Sequence, residues 1–514
     1  MEKIAKNIAW IIATILLSIV FLSNLFFTAK IDIYEIVTVN YSSFLSMLIC
    51  LVIVALISFI SNKIEKKCST KIKIILLILV LAACFIFQIL WINVRKAKPC
   101  WDQWYVYDMA AHFSDIDYRY AYKDYYEKCP HQLGIVTFYV IIFKIFNTTD
   151  VSVLQYINAL ANVFTILGII LISKIIEKKY KTNKTKTLIA SLLFTAVPLL
   201  STFIYGDILA ISFCTFATYF IMQYGNTRKT DYAIYSALCM LVACLVRKNS
   251  LIFLIAILIY VILCLLEEKK FNIKNAIKTA GIIVIFLVMF SGPNKLIKNY
   301  WQQKLNLNFE NELPAEIYLS YGINESERAP GWYNSGIHMK AKELESSAKV
   351  YGQKLVKRRL KIFLKNPLDF FDFYIRKERA MWTENTYASF LYNNSANIWD
   401  FSYQNGTQHQ KVDKVLEKAE NVAIILNKTV IILAFGNAII TLIRYRGKIS
   451  KDVLLLAIIF TGGFIFQMMW EAKSRYIIPY IIILFPFIGI DNTECIKEKI
   501  YKIKGRNSIK WKKQ

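Results

Sequence analysis

Histidine is nearly missing from this chain. There are four in 514 residues: His112, His131, His338 and His409. That scarcity argues against a metal site of several imidazoles and leaves a carboxylate-bound divalent ion open. No glycine-rich phosphate loop is visible, so nothing points to a bound nucleotide. Charge is also scarce inside the long apolar runs, where Asp207, Arg247, Lys428 and Arg475 stand near run ends rather than at mid-depth. Ion-coupled transporters place carboxylates or histidines well inside their helices, and many are built from two related halves; neither sign is present. No small-residue cleavage site follows the first apolar run, which reads as a retained helix rather than a signal peptide.

What the chain has in quantity is apolar sequence and lysine. It is 56% hydrophobic with a formal net charge of +27 and a mean hydropathy of +0.41. Many charge-free runs reach the length a helix needs to cross a bilayer, which defines an all-α polytopic membrane protein. Twelve spans are expected, near 8–28, 42–61, 74–94, 151–174, 187–204, 208–224, 231–247, 249–266, 277–292, 423–443, 452–469 and 475–490. The basic segments "SNKIEKKCSTKIK", "SKIIEKKYKTNKTK" and "RYRGKISK" and the tail then fall on one face, the cytoplasmic one by the positive-inside rule, with both termini. The lysine excess is a topology signal, and no nucleic-acid-reading motif accompanies it. The apolar stretch 131–146 is short for a span and is expected to lie on the outer surface as a juxtamembrane helix. Four segments result: an N-terminal pair of helices (1–70), a transmembrane core (71–292) with a first external loop (95–150), an external, mainly helical cap (293–422), and the C-terminal helices and basic tail (423–514).

The first external loop opens with "KPCWDQWYVYDMAAHFSDIDYRY" (98–120). Its tyrosines suit an interfacial aromatic belt. Asp102, between Trp101 and Trp104, suits a carboxylate held where water is partly excluded, the setting of a general base. Cys100 and Cys129 flank the loop, as a disulfide or as two thiols. At the outer ends of two spans, "LVRKNS" places Arg247 and Lys248 and "MMWEAKSRYIIPY" places Lys473 and Arg475. Arginine at headgroup level is a natural ligand for a lipid phosphate. The turn "ERAPGWYNSG" offers Trp332 and amides to sugar faces and hydroxyls.

Together these features resemble the GT-C superfamily of membrane glycosyltransferases, in the style of the protein-mannosyltransferase-like and aminoarabinose-transferase-like enzymes. The likeness rests on "CWDQ" in the first large external loop, on "YYEKCPHQLGIVTFYVIIFKIF" after it, on a series of short-looped spans, and on "EAKSRYIIPYIIILFPF" near the end. It covers roughly 74–490 and leaves the first two helices as an addition. The mannosyltransferases often show Asp-Glu where this chain has Asp102-Gln103, so subfamily and metal use stay open. The resemblance implies inverting transfer of a sugar from a polyprenyl-phosphate donor to an extracytoplasmic acceptor. Lys-, Ile- and Asn-rich usage fits an AT-rich bacterial genome, and with it a cell-wall polysaccharide, teichoic acid or other envelope glycan as acceptor. Asp102 would be the base, with Asp108 as its substitute. Arg475, with Arg247 and Lys473, would hold the donor phosphate, and His131 and Gln132 would orient donor or acceptor. A flippase or transporter of lipid-linked glycans, and a ligase or polymerase of them, are the rival readings.

Overall fold

The computed structural model describes residues 2–32, 34–115, 122–267, 272–394 and 406–492. Asp117, Tyr118 and Tyr120 of the first loop, and the basic tail after residue 492, lie outside the described residues. Among the described residues, nine helices are long and apolar enough to cross a membrane: Lys6–Phe26, Phe44–Lys67, Thr70–Arg95, Val151–Ile176, Asp207–Thr227, Lys248–Leu266, Ile273–Leu305, Glu417–Arg444 and Lys451–Met469. A tenth is the pair Lys184–Leu193 and Ala196–Thr202, bent by 42°. Pro198 explains the bend, because its ring clashes with the carbonyl four residues back and it donates no hydrogen bond there. Asn427 Oδ1 accepts from the Thr195 hydroxyl and the Ala196 N–H at 3.2 and 3.4 Å, satisfying groups the break releases.

Length alone therefore does not reach the twelve spans expected. Thr230–Val246 is a helix of 17 residues. The last expected span is a chain of short pieces, Ser474–Ile477, Ile478–Ile482 and Phe485–Gly489, with Pro479 and Pro486 in the first turns of the second and third. The expected border at 292/293 is also absent: one helix, Ile273–Leu305, runs straight through Pro293.

Contacts sort the helix ends into two sets. At one end Glu267 binds Lys6 and Lys451 at 2.8 and 2.7 Å, Lys179 meets Asp452 at 3.3 Å, and Thr182 bridges Ile490. At the other lie the first loop, the turn before Asp207, Arg247 and the stretch after Met469.

The N-terminal pair is not peripheral. α1 (Glu2–Phe26) is buried at Ala13, Leu17, Val20 and Asn24, and packs on the helices ending at Arg444 and Met469. Between α1 and α2 (Phe44–Lys67) the chain forms a hairpin, β1 (Phe27–Ile31) against β2 (Val37–Tyr41), antiparallel from Phe27–Tyr41 to Ile31–Val37. An all-α reading missed it; β-branched and aromatic residues in both arms favour the pairing.

Leu133–Phe146 spans 14 residues, about 21 Å at a helical rise and too short for the hydrocarbon core. The segment beyond Leu305 is mainly helical: Ala315–Ile323, Ser335–Leu344, Ala348–Lys365 and Pro367–Trp382. Lys377 docks it. That side chain is fully buried and donates to the carbonyls of Gly322, Met468 and Trp470 at 2.6, 2.8 and 2.9 Å, using all three ammonium protons at the end of Lys451–Met469.

Candidate functional site: an ionic cluster around Tyr205

The site is organised by a turn. Gly206 has φ +81°, and a Cβ there would fall 2.4 Å from the Val246 carbonyl oxygen. Glycine is thus required both by the conformation and by the close approach of the neighbouring chain. The turn presents Tyr205 on one side and starts the helix Asp207–Thr227 with Asp207 on the other.

Tyr205 is buried, and its hydroxyl is the junction of three elements. It accepts from Gln132 Nε2 at 2.5 Å and donates to Asp102 Oδ2 at 3.2 Å. Gln132 spends its other amide proton on His131 Nε2 at 3.1 Å. Burial, with Arg247 and Lys248 adding, pushes the His131 imidazole down to about 4. It is therefore neutral at pH 7, and Nε2 is assigned as the acceptor. Two guanidiniums flank the Tyr205 ring, Arg247 at 4.7 Å and Arg475 at 5.7 Å from its centroid. Both reach Asp207: Arg247 Nε lies 3.1 Å from Oδ1 and Arg475 Nε 3.9 Å from Oδ2. Arg475 is further enclosed by Phe203, Tyr392 and Tyr476, and it donates to the Tyr392 hydroxyl. A cavity of about 20 Å³, room for one water, lies beside Asp207, Arg247 and Tyr476.

The stretch after Met469 adds a second set. Lys473 binds Glu35 at 2.8 Å, and Arg328 binds the same carboxylate. Burial works against the Lys473 charge, but Glu35, Tyr476 and Glu471 together outweigh it and hold the ammonium above its usual range. Glu471 behaves in the opposite way. Burial pushes its carboxyl up to about 7; Lys473 opposes the shift, and Asp102 and Glu35 add to it.

Asp102, Gln132, His131, Arg247 and Arg475 are thus brought to one place, with Lys473 adjacent. Asp102 starts α4 (Asp102–Ala111), where the helix N-terminus favours a carboxylate. It is exposed, and so are Trp101 and Trp104, at 38% and 41%. The expected shelter between two tryptophans is not formed; Trp101 turns out with φ +50° and packs edge-on against Tyr392. Asp108 is held differently from Asp102. It is buried, accepts from the Tyr122 hydroxyl at 2.7 Å and lies 3.4 Å from His112 Nδ1, which ties the loop together. Trp332 offers no face to a sugar, being 1% exposed in the core. Cys100 and Cys129 are thiols rather than a disulfide, and burial, with Asp102 adding, pushes Cys129 up to about 12. Among the described residues no three His, Cys, Asp or Glu side chains gather as a metal would require.

Sequence reading missed Tyr205, Asp207, Glu35 and Tyr392 as site members. Asp207 was visible as a charge at a span end. Gln103, the departure from Asp-Glu, has a structural role. Its Oε1 accepts from the Ile204 N–H at 2.9 Å, fastening the acidic loop to the Tyr205 turn.

The fold and site define a polytopic helical membrane protein with a buried ionic cluster at one end of its spans. The chain belongs to the family described as "Conserved hypothetical integral membrane protein", which it matches over residues 1–496. No curated protein matches it.

Proposed function

We propose that the protein is an inverting glycosyltransferase of GT-C type, moving a sugar from a polyprenyl-phosphate donor to an extracytoplasmic acceptor such as an envelope glycan. On this reading the chain crosses the membrane twelve times, counting the bent pair, Thr230–Val246 and Ser474–Gly489 as passes, with both termini cytoplasmic and the Tyr205 cluster outside. The observation that carries it is the meeting of an exposed carboxylate and two arginines on one tyrosine, Asp102 at its hydroxyl and Arg247 and Arg475 on its ring.

The chemistry asks for that combination. An acceptor hydroxyl attacks the anomeric carbon, a new C–O bond forms, and the bond from that carbon to the phosphate oxygen breaks. The polyprenyl phosphate leaves with the electron pair, and the hydroxyl proton passes to Asp102. Arg247 and Arg475 stabilise charge growing on the leaving phosphate, from an enclosure where guanidiniums need no reorganisation. Asp207 and the rings fix their orientation. Neutral His131, through Gln132, sets the direction of the Tyr205 hydroxyl.

The test is comparison of surface glycans in strains with and without the gene, complemented by wild type, Asp102→Asn or Arg475→Ala. The proposal expects a glycan substituent to vanish on deletion and to return only with wild type. An unchanged glycan profile in the deletion strain overturns it. Movement of labelled lipid-linked glycan between leaflets by purified protein, without sugar transfer, would favour the flippase reading instead.

A further inference from the structure

A second feature lies across the hairpin from the ionic cluster. A groove of about 360 Å³ runs between the hairpin, the Ala329–Pro330 turn and the helix Pro367–Trp382. Phe27, Val37, Val39 and Tyr41 make one wall, and Arg376 and Arg379 rise from the other.

Its depth follows from the chain. Phe27 directly succeeds the last residue of α1, and Tyr41 precedes the first residue of α2 by three positions. Both helices qualify as spans, so the groove lies where hydrocarbon gives way to headgroups. Its surroundings agree. Phe26, Tyr41, Phe44 and Leu45 are exposed beside it, and the helix carrying the arginines shows Leu368, Phe371 and Ile375 outward at helical spacing, as a helix lying on lipid would.

Its charge is specific. Arg376 is neutralised by Asp372 and Glu325 at 2.7 and 2.9 Å. Arg379 has no carboxylate within ion-pair distance among the described residues; its guanidinium lies over the Phe27 ring, 3.8 Å from the centroid. The neighbouring Glu378 turns away to the Ser23 hydroxyl at 2.7 Å. An apolar wall with one uncompensated guanidinium at headgroup depth matches an amphiphile with a net negative head.

We propose that this groove binds one anionic phospholipid of the bilayer, its phosphodiester on Arg379 and its chains descending along α1 and α2. A zwitterionic lipid brings its own cation to the phosphate and fits less well. The inference does not depend on the transferase reading, because none of the groove residues belongs to the Tyr205 cluster.

Native mass spectrometry of the purified full chain in detergent, with phosphatidylglycerol or phosphatidylcholine added in equal amounts, tests it. Retained phosphatidylglycerol should exceed phosphatidylcholine by about fivefold, the factor one headgroup-level arginine supplies. Arg379→Gln should erase that preference. Val39→Trp, which narrows the groove from the hairpin wall and leaves the Arg379 charge in place, should lower retention of both lipids, and it decides the matter should Arg379→Gln not fold. Equal retention of the two lipids by wild type overturns the proposal, as does unaltered phosphatidylglycerol in both variants. Stoichiometric displacement of phosphatidylglycerol by added polyprenyl phosphate also overturns it, since the groove would then be a donor site.

Discussion

Glu35 and Lys473 are separated by 438 positions in the chain, yet their carboxylate oxygen and ammonium nitrogen stand 2.8 Å apart. The hairpin turn after α1 thereby reaches into the ionic cluster, and the N-terminal helices become part of the site's architecture. Glu35 is 5% exposed and also holds Arg328.

Removing that carboxylate strands two cations. Glu35→Gln should cost about 3–5 kcal/mol, the range for breaking a buried pair from one side. Lys473→Met combined with Glu35→Gln should cost less than the sum of the single changes, because the neutral pair no longer strands Lys473. Thermal unfolding of the four proteins in one detergent measures the cycle; strict additivity would show that the pair carries no coupling.

Glu471 and His131 give stability a pH dependence of opposing signs. The Glu471 carboxyl titrates near 7 when folded against an ordinary 4.5. Between those values the folded state keeps a proton the unfolded state has released. This contribution is therefore complete below 4.5 and is lost as pH rises toward 7. His131 titrates near 4 when folded against an ordinary 6.5. Its contribution is complete above 6.5 and is lost as pH falls toward 4. Glu471→Gln should remove only the loss that sets in as pH rises from 4.5 toward 7. Unfolding midpoints at pH about 5, 6 and 7.5 separate the two, and an unchanged profile in Glu471→Gln would refute the Glu471 assignment.

On the proposed transferase reading, the two candidate bases of the first loop, Asp102 and Asp108, should separate by readout. Asp102→Asn should lower transfer by about 10²–10⁴-fold, the range for a general base, with little change in unfolding midpoint. Asp108→Asn disturbs the bonds to Tyr122 and His112. It should destabilise by about 1–3 kcal/mol while turnover per folded molecule stays within about tenfold. The reverse pattern would make Asp108 the base and Asp102 the structural acid.

Much of the membrane plan could be read from the sequence because apolar length and lysine position act locally. Among the described residues, nine helices of spanning length stand where long apolar runs were read, and Glu267 meets Lys6 and Lys451 at one end of them. Arg247 and Arg475 were also legible, since a charge at the end of an apolar run is conspicuous. The failures depend on distant contacts. Trp332 sits in a turn rich in polar residues, yet Gly331 at φ +78° and the Gly331 carbonyl's bond to the Ala472 N–H carry that turn into the core. Glu35 stands between the first two apolar runs, and nothing near it in sequence announces Lys473. Tyr205 gave no signal among 31 tyrosines; its role comes from the Gly206 turn and from where Gln132 and Asp102 end.

Arg475 supplies the sharpest test of chemistry against charge. Its guanidinium lies 4.8 to 5.7 Å from the centroids of Phe203, Tyr205, Tyr392 and Tyr476. A planar cation can stack among rings while still donating to the Tyr392 hydroxyl and facing Asp207; an ammonium is a point charge that cannot do all three. On the proposed transferase reading, Arg475→Lys keeps the charge and should still lose transfer by about 10–100-fold, through a lower kcat rather than a raised KM, since the planar fork would act on charge that grows only as the sugar–phosphate bond breaks. Arg247→Lys should lose less, because the 3.1 Å approach of Arg247 to Asp207 Oδ1 asks for one donor. Initial-rate measurements on reconstituted protein, with donor and acceptor varied separately, distinguish these outcomes. Full activity in Arg475→Lys would mean that the site uses net positive charge alone, and the orientation imposed by the four rings would then have no catalytic consequence.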